Sequence, residues 1–461
     1  MHFPRTFRRR VSRSGDKLEF LISFSTNVST PRQRKTRNTT LLAALRTGSA
    51  PKVMLEPGCS HVLSVLRAVM PISCSARAWN VASRRSRFDE SSSRRSRQSA
   101  SRCRVVTCSL PSVSTPKRVT LVRHGQSTWN EEGRIQGSSD LSVLTSKGEA
   151  QAERTRQMLT GESFDVGFRS PLKRASRTAE VIWGARDPAL VDLWVLREID
   201  LYSFQGLFKQ EGKSKFGSNY AAWKADPANF EIDGHFPVRE LWERGAECWK
   251  EVLSAEGEDI LVVAHNAVIQ AMTANALGLA PEYFRRLEQS NCGLTSFAFE
   301  TGGGVQLLKL NQTPAPPVTG KVNDATKRAV FICASTGDGT DDESTATSVA
   351  AALRDVTVAH ALHGGDPASA ALATEVATAS GGDAPLEISS QDIQSLLGEG
   401  TTTVFASAGT IASFAARALG TDAGFASKLR LTRGGITVVE FQNGAEASVA
   451  CVNYTAHLSG S

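Results

Sequence analysis

Arg123 and His124 stand directly after a short apolar run, at a point where a buried strand would end. Residues 119–122 include two valines and a leucine, and their β-branched character is typical of a core strand. Open α/β sheets bind ligands at the carboxyl ends of such strands. The guanidinium of Arg123 and the imidazole of His124 would lie there, with Gly125 for a turn and the amide of Asn130 nearby. An anion would accept hydrogen bonds from these groups and balance their charge. The alternative is a structural histidine whose hydrogen bonds are all made within the protein.

A second histidine occupies the same kind of position. Residues 260–264 are apolar and run straight into His265 and Asn266. The helix that follows should end at Gly278, because glycine readily adopts the left-handed conformation of a helix cap. Two histidines at the ends of parallel strands can face each other across one shared anion, so the pair indicates a common site.

A basic helix start lies between these two strands in the sequence. Ser170 and Pro171 supply a cap and a first-turn proline, and Lys173, Arg174 and Arg177 follow within two turns. Helix amides and the arginine fork both suit phosphate oxygens, which favours an anion-binding role. A solvated basic helix face is the alternative reading of the same residues.

Glu198 is the carboxyl group that could complete such a site. Cleavage of a phosphate ester needs a group that protonates the leaving oxygen, and a carboxyl can do so. It follows residues 193–197, which end in another arginine. An ordinary surface glutamate is the alternative.

The sequence around the first histidine resembles the signature of the histidine phosphatase (phosphoglycerate mutase-like) superfamily. Residues 118–130 carry that signature, and residues 170–178 match the pattern that brings an arginine to the phosphate in the superfamily. Residues 196–198 match the position of its acid. This resemblance implies a phosphoryl-transfer enzyme and allows roles to be assigned residue by residue.

The resemblance implies a catalytic role for each of the residues singled out above. His124 is the group that becomes phosphorylated, and Glu198 exchanges the proton with the leaving oxygen and with water. The cationic residues that hold the phosphoryl group are Arg123, Arg174 and His265. Because these cations do what Mg²⁺ does in other enzymes, no metal and no cofactor are implied.

Further matches resemble plant chloroplast members of the superfamily that hydrolyse sugar phosphates. They lie in residues 121–138, 196–206, 226–240 and 263–269. The implied substrate is a sugar-acid monophosphate that inhibits Rubisco, or a related sugar bisphosphate. The residues expected to contact it are Asn130, Gln136, Gly137, Arg239 and Asn266. Asn266 replaces a glycine that is usual in the superfamily. Further cations that could bind the carboxylate of the substrate are Lys209, Lys213, Lys215 and Lys224.

The resemblance also implies the fold that must position these residues. Residues 117–311 are expected to form a catalytic domain of the α/β class, a three-layer sandwich with a mostly parallel central sheet. Residues 207–258 look like an insertion with helical stretches around 219–225 and 239–253. That insertion could recognise an anionic sugar, or it could be a lid of ordinary helices with solvated lysines.

Residues 327–461 are predicted to be a second, reduced and degenerate copy of the first domain. A semi-rigid linker, residues 312–326, contains three prolines and joins the two. Residues 329–334 align with residues 119–124, and the last strands align at a constant offset.

The second copy lacks the chemistry of the first. Its replacements are Cys333 for Arg123, Ala334 for His124 and Ser407 for His265. The predicted role is therefore non-catalytic: packing, regulation, or formation of a homo-oligomer through this domain.

The leader, residues 1–110, has a composition unlike the rest. Residues 1–116 contain 22 Lys and Arg against 5 Asp and Glu, whereas the remaining residues contain 31 and 41. Few acids, many Ser and Arg and no long apolar run predict a disordered organelle transit peptide. The expected destination is the chloroplast stroma, with cleavage within residues 102–114. An arginine-rich tail that binds nucleic acid is the alternative.

Composition and spacing argue against several other function classes. The four cysteines after the leader are scattered singly, without metal-ligand spacing. No stretch approaches the roughly 18 apolar residues of a membrane span. We therefore predict a phosphatase for a small sugar phosphate, with no nucleic-acid or membrane partner. The alternatives are a cofactor-dependent phosphoglycerate mutase or fructose-2,6-bisphosphatase, and a non-enzymatic binding or scaffold protein.

Overall fold

A computed structural model describes the parts of the chain that carry the site. The described residues are 7–14, 17–26, 37–46, 110–187, 189–317, 326–336, 344–354, 360–380, 385–387, 400–442 and 447–458, the first three ranges as backbone only. The leader cysteines, the expected cleavage region before residue 110 and most of the linker lie outside them.

Three strands lie within the first compact unit of the chain, residues 1–99. They are β1 (Phe7–Ser14), β2 (Lys17–Thr26) and β3 (Arg37–Arg46), and they form an antiparallel sheet in that order. The disordered transit peptide that the composition predicts stays a prediction. Residues 18–24 and 41–45 are mostly apolar, and such local runs favour strand pairing that an average over the whole leader hides.

One mixed sheet runs through the second compact unit, residues 100–461. Its strands are β4 (Lys117–Arg123), β5 (Val166–Arg169), β6 (Val191–Asp192), β7 (Asp259–Ala264), β8 (Leu294–Phe299), β9 (Val305–Gln312), β10 (Thr326–Ser335), β11 (His360–His363), β12 (Leu386–Glu387), β13 (Gly400–Ser407), β14 (Ile436–Gln442) and β15 (Ser448–Tyr454). Their order across the sheet is β12-β11-β13-β10-β14-β15-β9-β8-β4-β7-β5-β6.

Helices cover both faces of this sheet. They are α1 (Thr128–Glu132), α2 (Ser146–Met158), α3 (Lys173–Trp183), α4 (Lys209–Phe216), α5 (Ser218–Ala225), α6 (Pro237–Leu253), α7 (Asn266–Leu277), α8 (Ser344–Leu353), α9 (Pro367–Ser380), α10 (Ala408–Leu419) and α11 (Ala423–Ala426). None of the helices in the described ranges is long and apolar enough to cross a bilayer.

The first half of the sheet has the predicted three-layer arrangement. Successive residues of a strand point to opposite faces. Val122 of β4 packs in the apolar cluster that contains Ile182 of α3, whereas Leu121 packs in the cluster that contains Leu241 of α6. Strands β4, β7, β5 and β6 are parallel neighbours, β8 pairs antiparallel with β4, and β9 pairs antiparallel with β8. The α/β fold class is confirmed.

Helix ends follow from local sequence. Thr145 caps α2 by accepting a bond from the amide of Gly148, so that helix begins at Ser146. Gly278 ends α7 in the left-handed conformation, with φ of 78°, as its position predicts.

The two halves of the sheet have the same strand order. Read outward from the middle, β9-β8-β4-β7-β5-β6 corresponds to β15-β14-β10-β13-β11-β12, with parallel and antiparallel neighbours in the same places. The halves meet where Leu310 of β9 pairs with Val452 of β15. The sequence predicts two domains joined by a linker, whereas in the structure a single sheet continues through both halves.

Contacts at this junction come in reciprocal pairs, as in a two-fold symmetric dimer. The side-chain amide of Asn311 donates to Ala450 O at 2.8 Å, and that of Asn453 donates to Leu308 O at 2.8 Å. Both asparagines are buried and have left-handed backbones, with φ of 53° and 55°. The junction is therefore a built interface and not a loose contact.

Asn453→Gly is expected to destabilise both halves together. Glycine tolerates the left-handed backbone but removes the bonds to Leu308 O and from the Thr432 amide. Buried groups left unpaired cost about 1–3 kcal/mol in the free energy of unfolding. Tryptophan fluorescence reports mainly on the first half, because six of the seven tryptophans lie within residues 129–249 and the seventh, Trp79, is in the leader. The midpoint temperature of unfolding followed by fluorescence should fall by the same amount as the midpoint followed by circular dichroism. An unchanged fluorescence midpoint would mean that the halves unfold independently.

Candidate active site

Two histidines lie side by side at the carboxyl edge of the sheet. Strands β4 and β7 are parallel neighbours with Arg123 opposite Ala264, so His124 and His265 follow them at the same level. Their ring centroids are 5.1 Å apart at an interplanar angle of 62°. Both rings are buried, with 2% and 0% of their surfaces exposed.

His124 is held in one tautomer. Its Nδ1 lies 2.7 Å from Gly125 O, and because a carbonyl oxygen only accepts, Nδ1 must carry the proton. The Nε2 atom therefore keeps its lone pair. Glycine at 125 allows a close approach, since a Cβ there would lie 2.4 Å from Gly148 O. Burial, and then the charges of Arg174 and Arg123, hold the pKa of His124 well below 6.5, so the ring is neutral at pH 7.

Arg174 and Arg123 place two fixed positive charges beside this imidazole. Arg174 is fully buried and donates to Ser139 O at 2.7 Å and to Gly137 O at 2.9 Å. Arg123 donates to Gln289 O at 2.7 Å. Burial lowers the pKa of Arg174 to about 10, and it also lowers that of Arg123. Carbonyl oxygens orient these guanidinium groups without neutralising them, which leaves their charge for an anion.

His265 lies behind His124 and does not line the cavity. Its Nε2 is 2.7 Å from the Ser170 hydroxyl, and its Nδ1 has no partner among the described residues. Burial, followed by the charge of Arg174, lowers its pKa well below 6.5.

Glu198 sits at the N-terminus of α7. Its carboxylate accepts bonds from the amides of Ala267 at 3.0 Å and Val268 at 3.3 Å, as well as from its neighbour Ile199. These amide bonds fix the orientation of the carboxyl group. Arg244 of α6 orients the same stretch of backbone by donating to Glu198 O at 2.9 Å.

A cavity of about 220 Å³ opens in front of these groups. Four of the five predicted catalytic residues line it, all except His265. The predicted ligand contacts that line it are Asn130, Gln136, Gly137 and Asn266. No group of three or more His, Cys, Asp or Glu side chains that could hold a metal occurs in the described ranges.

Arg239 does not line this cavity, and its contact with the ligand stays a prediction. Its Nε donates to Ala228 O at 3.1 Å, its Nη2 bonds to Asn229, and its guanidinium lies over the ring of Phe236. In α6 it therefore faces the turn before that helix. The four lysines named with it are exposed and do not line the cavity either.

Four further residues line the cavity: Arg134, Trp223, Phe284 and Arg285. Trp223 is one of the aromatic residues of the 207–258 insertion that could recognise an anionic sugar, whereas the sequence alone does not predict the other three. Arg134 lies within residues 121–138, whose resemblance was noted, but it was not singled out. The Phe-Arg-Arg run at 284–286 was the available signal for Arg285.

Loss of stability in mild acid is expected from the two buried neutral histidines. The unfolded chain takes up protons below pH 6.5, whereas the native state binds none at His124 or His265 because their pKa values are lowered. The free energy of unfolding should therefore fall with falling pH, by about 1.4 kcal/mol per pH unit for each histidine. Denaturant unfolding between pH 7.5 and 5 measures this, and His124→Gln should remove one histidine's share of the slope. An unchanged slope would contradict the neutral ring.

The residues of this site lie within a region that is similar to known proteins. Residues 119–313 match the family model described as histidine phosphatase superfamily (branch 1). The chain is also 30% identical over 197 residues to phosphoserine phosphatase 1 of Hydrogenobacter thermophilus, which covers 42% of this chain and 92% of that protein. This chain belongs to the histidine phosphatase superfamily.

Two plant members of the superfamily are more similar. The probable 2-carboxy-D-arabinitol-1-phosphatase of Arabidopsis thaliana is 54% identical over 269 residues, 55% of each chain. The 2-carboxy-D-arabinitol-1-phosphatase of Triticum aestivum is 55% identical over 232 residues, 49% of this chain and 47% of the relative. The chain thus spans about half the length of these two relatives.

Proposed function

We propose that this protein is a phosphatase that hydrolyses a sugar phosphate through a phosphohistidine intermediate. The observation that carries the proposal is the state of His124: Nδ1 is committed to Gly125 O, and Nε2 keeps its lone pair beside the positive charges of Arg123 and Arg174. A neutral imidazole fixed in one tautomer is a ready nucleophile.

In the first step, Nε2 of His124 attacks phosphorus while the bond to the leaving oxygen breaks. The carboxyl group of Glu198 gives its proton to that oxygen, so the alcohol leaves neutral. Arg123 and Arg174 hold the phosphoryl oxygens throughout, and the neutral ring of His265 packs against that of His124. Charge that spreads over those oxygens is thereby stabilised by fixed groups.

In the second step, water attacks the same phosphorus. The carboxylate of Glu198 takes a proton from the water as the nitrogen–phosphorus bond breaks, and inorganic phosphate forms. His124 regains its lone pair, and Glu198 regains its proton for the next cycle. The α7 amides fix the orientation of the carboxylate for both steps.

The proposed substrate is 2-carboxy-D-arabinitol 1-phosphate or a closely related sugar-acid phosphate. The two plant relatives named for this activity support it, as does a cavity lined by several cations. The proposed location is the chloroplast stroma, supported by the acid-poor, arginine-rich leader and by the plant source of those relatives.

Residues 327–461 are proposed to be a non-catalytic partner within the chain. Cys333 and Ala334 stand at the end of β10, where the first half has its arginine and histidine, and Ser407 caps α10. His363 ends β11 rather than lying in a loop, yet β11 corresponds to β5 and not to a histidine-bearing strand. The reciprocal junction supports a packing role, because the edge of β9 is already paired without a second copy of the chain.

Release of inorganic phosphate tests the proposed function. Purified protein should hydrolyse 2-carboxy-D-arabinitol 1-phosphate, and p-nitrophenyl phosphate as a generic ester. Conversion of 3-phosphoglycerate into its isomer, dependent on 2,3-bisphosphoglycerate and without phosphate release, would instead show a mutase.

A further inference from the structure

Arg285 is a cation of the cavity that the proposed phosphoryl transfer does not use. It lines the same cavity as Arg123 and Arg174 but is held by other elements. Its backbone amide donates to Gln270 Oε1 of α7 at 2.8 Å, and its Nη1 donates to Trp223 O of α5 at 3.0 Å. The position of this guanidinium is thus set by two helices that bound the cavity.

Stacking and backbone geometry fix the Arg285 side chain further. The guanidinium carbon lies 4.3 Å from the ring centroid of Trp223 and 5.1 Å from that of Phe284. The backbone at Arg285 is left-handed, with φ of 71°, which costs free energy in a residue with a side chain. Strained residues of this kind persist where the surroundings hold them, and they cluster at ligand sites.

The charge of Arg285 is not balanced by the protein. No carboxylate lies within ion-pair distance of it in the described ranges, and its Nε and Nη2 atoms make no hydrogen bond there. Arg134, by contrast, pairs with Glu132. Burial lowers the pKa of Arg285 to about 10. The pKa of nearby Lys224 is lowered by burial and then by the charge of Arg285, so further positive charge stands beside it.

The cavity therefore holds more positive charge than one phosphate requires. Its ionisable lining consists of four arginines, one imidazole and a single carboxylate: Arg123, Arg134, Arg174, Arg285, His124 and Glu198. A buried cation without a counter-charge is unfavourable, and an anionic ligand would relieve it.

We propose that Arg285 binds a second anionic group of the substrate, a carboxylate, and so selects sugar-acid phosphates over neutral sugar phosphates. The proposal rests on the proposed function and names the residue that sets its substrate class. The free Nε and Nη2 atoms present two parallel donors, which match the two oxygens of a carboxylate. The rings of Trp223 and Phe284 hold that fork in place. The same stacking would occur if Arg285 had only a structural role, so the experiment must separate ligand binding from packing.

Binding to an inactive protein separates this proposal from the question of catalysis. In the full-length chain carrying His124→Ala, titration calorimetry compares 2-carboxy-D-arabinitol 1-phosphate with D-arabinitol 1-phosphate, which lacks the carboxylate. The carboxylated ligand should bind about 10- to 100-fold more tightly, as expected for a charge-assisted pair. Adding Arg285→Gln should abolish that preference and leave the Kd of D-arabinitol 1-phosphate within threefold. Arg285→Lys should restore part of it, because lysine keeps the charge without the fork.

Arg239→Gln is the matched control, an arginine that stacks on an aromatic ring outside the cavity, and it should leave the preference intact. Equal weakening of both ligands by Arg285→Gln would show a purely structural role and overturn the proposal. An unchanged preference would also overturn it. The proposal would also be overturned if Arg285→Gln weakened the binding of D-arabinitol 1,5-bisphosphate alone, since the second anionic group would then be a phosphate. If the wild type releases no phosphate from any ester, the proposed function fails while this binding test still stands.

Discussion

His124→Ala is expected to lower kcat for phosphate-ester hydrolysis by roughly 10⁴-fold or more, the scale seen when a covalent nucleophile is removed. No other group at the end of β4 can take its place. Arg123 and Arg174 stay fixed by backbone carbonyls, so the variant should still bind inorganic phosphate. The loss should therefore appear in kcat and not in ligand binding.

The second half offers a matched control for this variant. His363 also ends a strand and is followed by glycine, but its strand corresponds to β5. His363→Ala should leave kcat unchanged. Substantial hydrolysis by a folded His124→Ala protein, with circular dichroism like that of the wild type, would contradict the assignment of the nucleophile.

Glu198→Gln is expected to lower kcat by about 10²- to 10⁴-fold with an alkyl phosphate, because both proton transfers pass through this carboxyl group. With p-nitrophenyl phosphate the leaving group needs no proton, so the first step should survive while attack by water remains slow. Phosphorylated protein should then accumulate, which rapid-quench analysis detects. The exposed Glu243→Gln is the control and should behave like the wild type. A Glu198→Gln protein with normal turnover of the alkyl phosphate would show that another group carries the proton.

The site could be predicted where its geometry is local. Arg123 and His124 follow a strand in the sequence, as His265 does, and the ends of parallel strands meet at one edge of a sheet. Arg174 lies in the first turn of the helix after the next strand, so its position also depends on short-range structure.

Residues placed by helix packing could not be predicted in the same way. Arg239 lies within the insertion and Arg285 lies after α7, and only the orientations of α5, α6 and α7 decide which of them reaches the cavity. The left-handed backbone at Arg285 gives no signal in the sequence, because glycine or asparagine would be expected there.

The fold shows the same division between local and long-range structure. The duplication is visible in the sequence, and equal strand orders agree with it. The pairing of β9 with β15 joins residues far apart in the chain, and no short-range pattern encodes it.

The most direct test of the central claim is to trap the phosphorylated intermediate and locate it. Glu198→Gln protein mixed with p-nitrophenyl phosphate and quenched in base should carry one phosphoryl group on the peptide that contains His124. Mass spectrometry should place it on that imidazole, and acid should release it, as phosphoramidates require. A phosphoryl group on another residue, or turnover by the wild type with no phosphorylated protein at any time, would contradict the account.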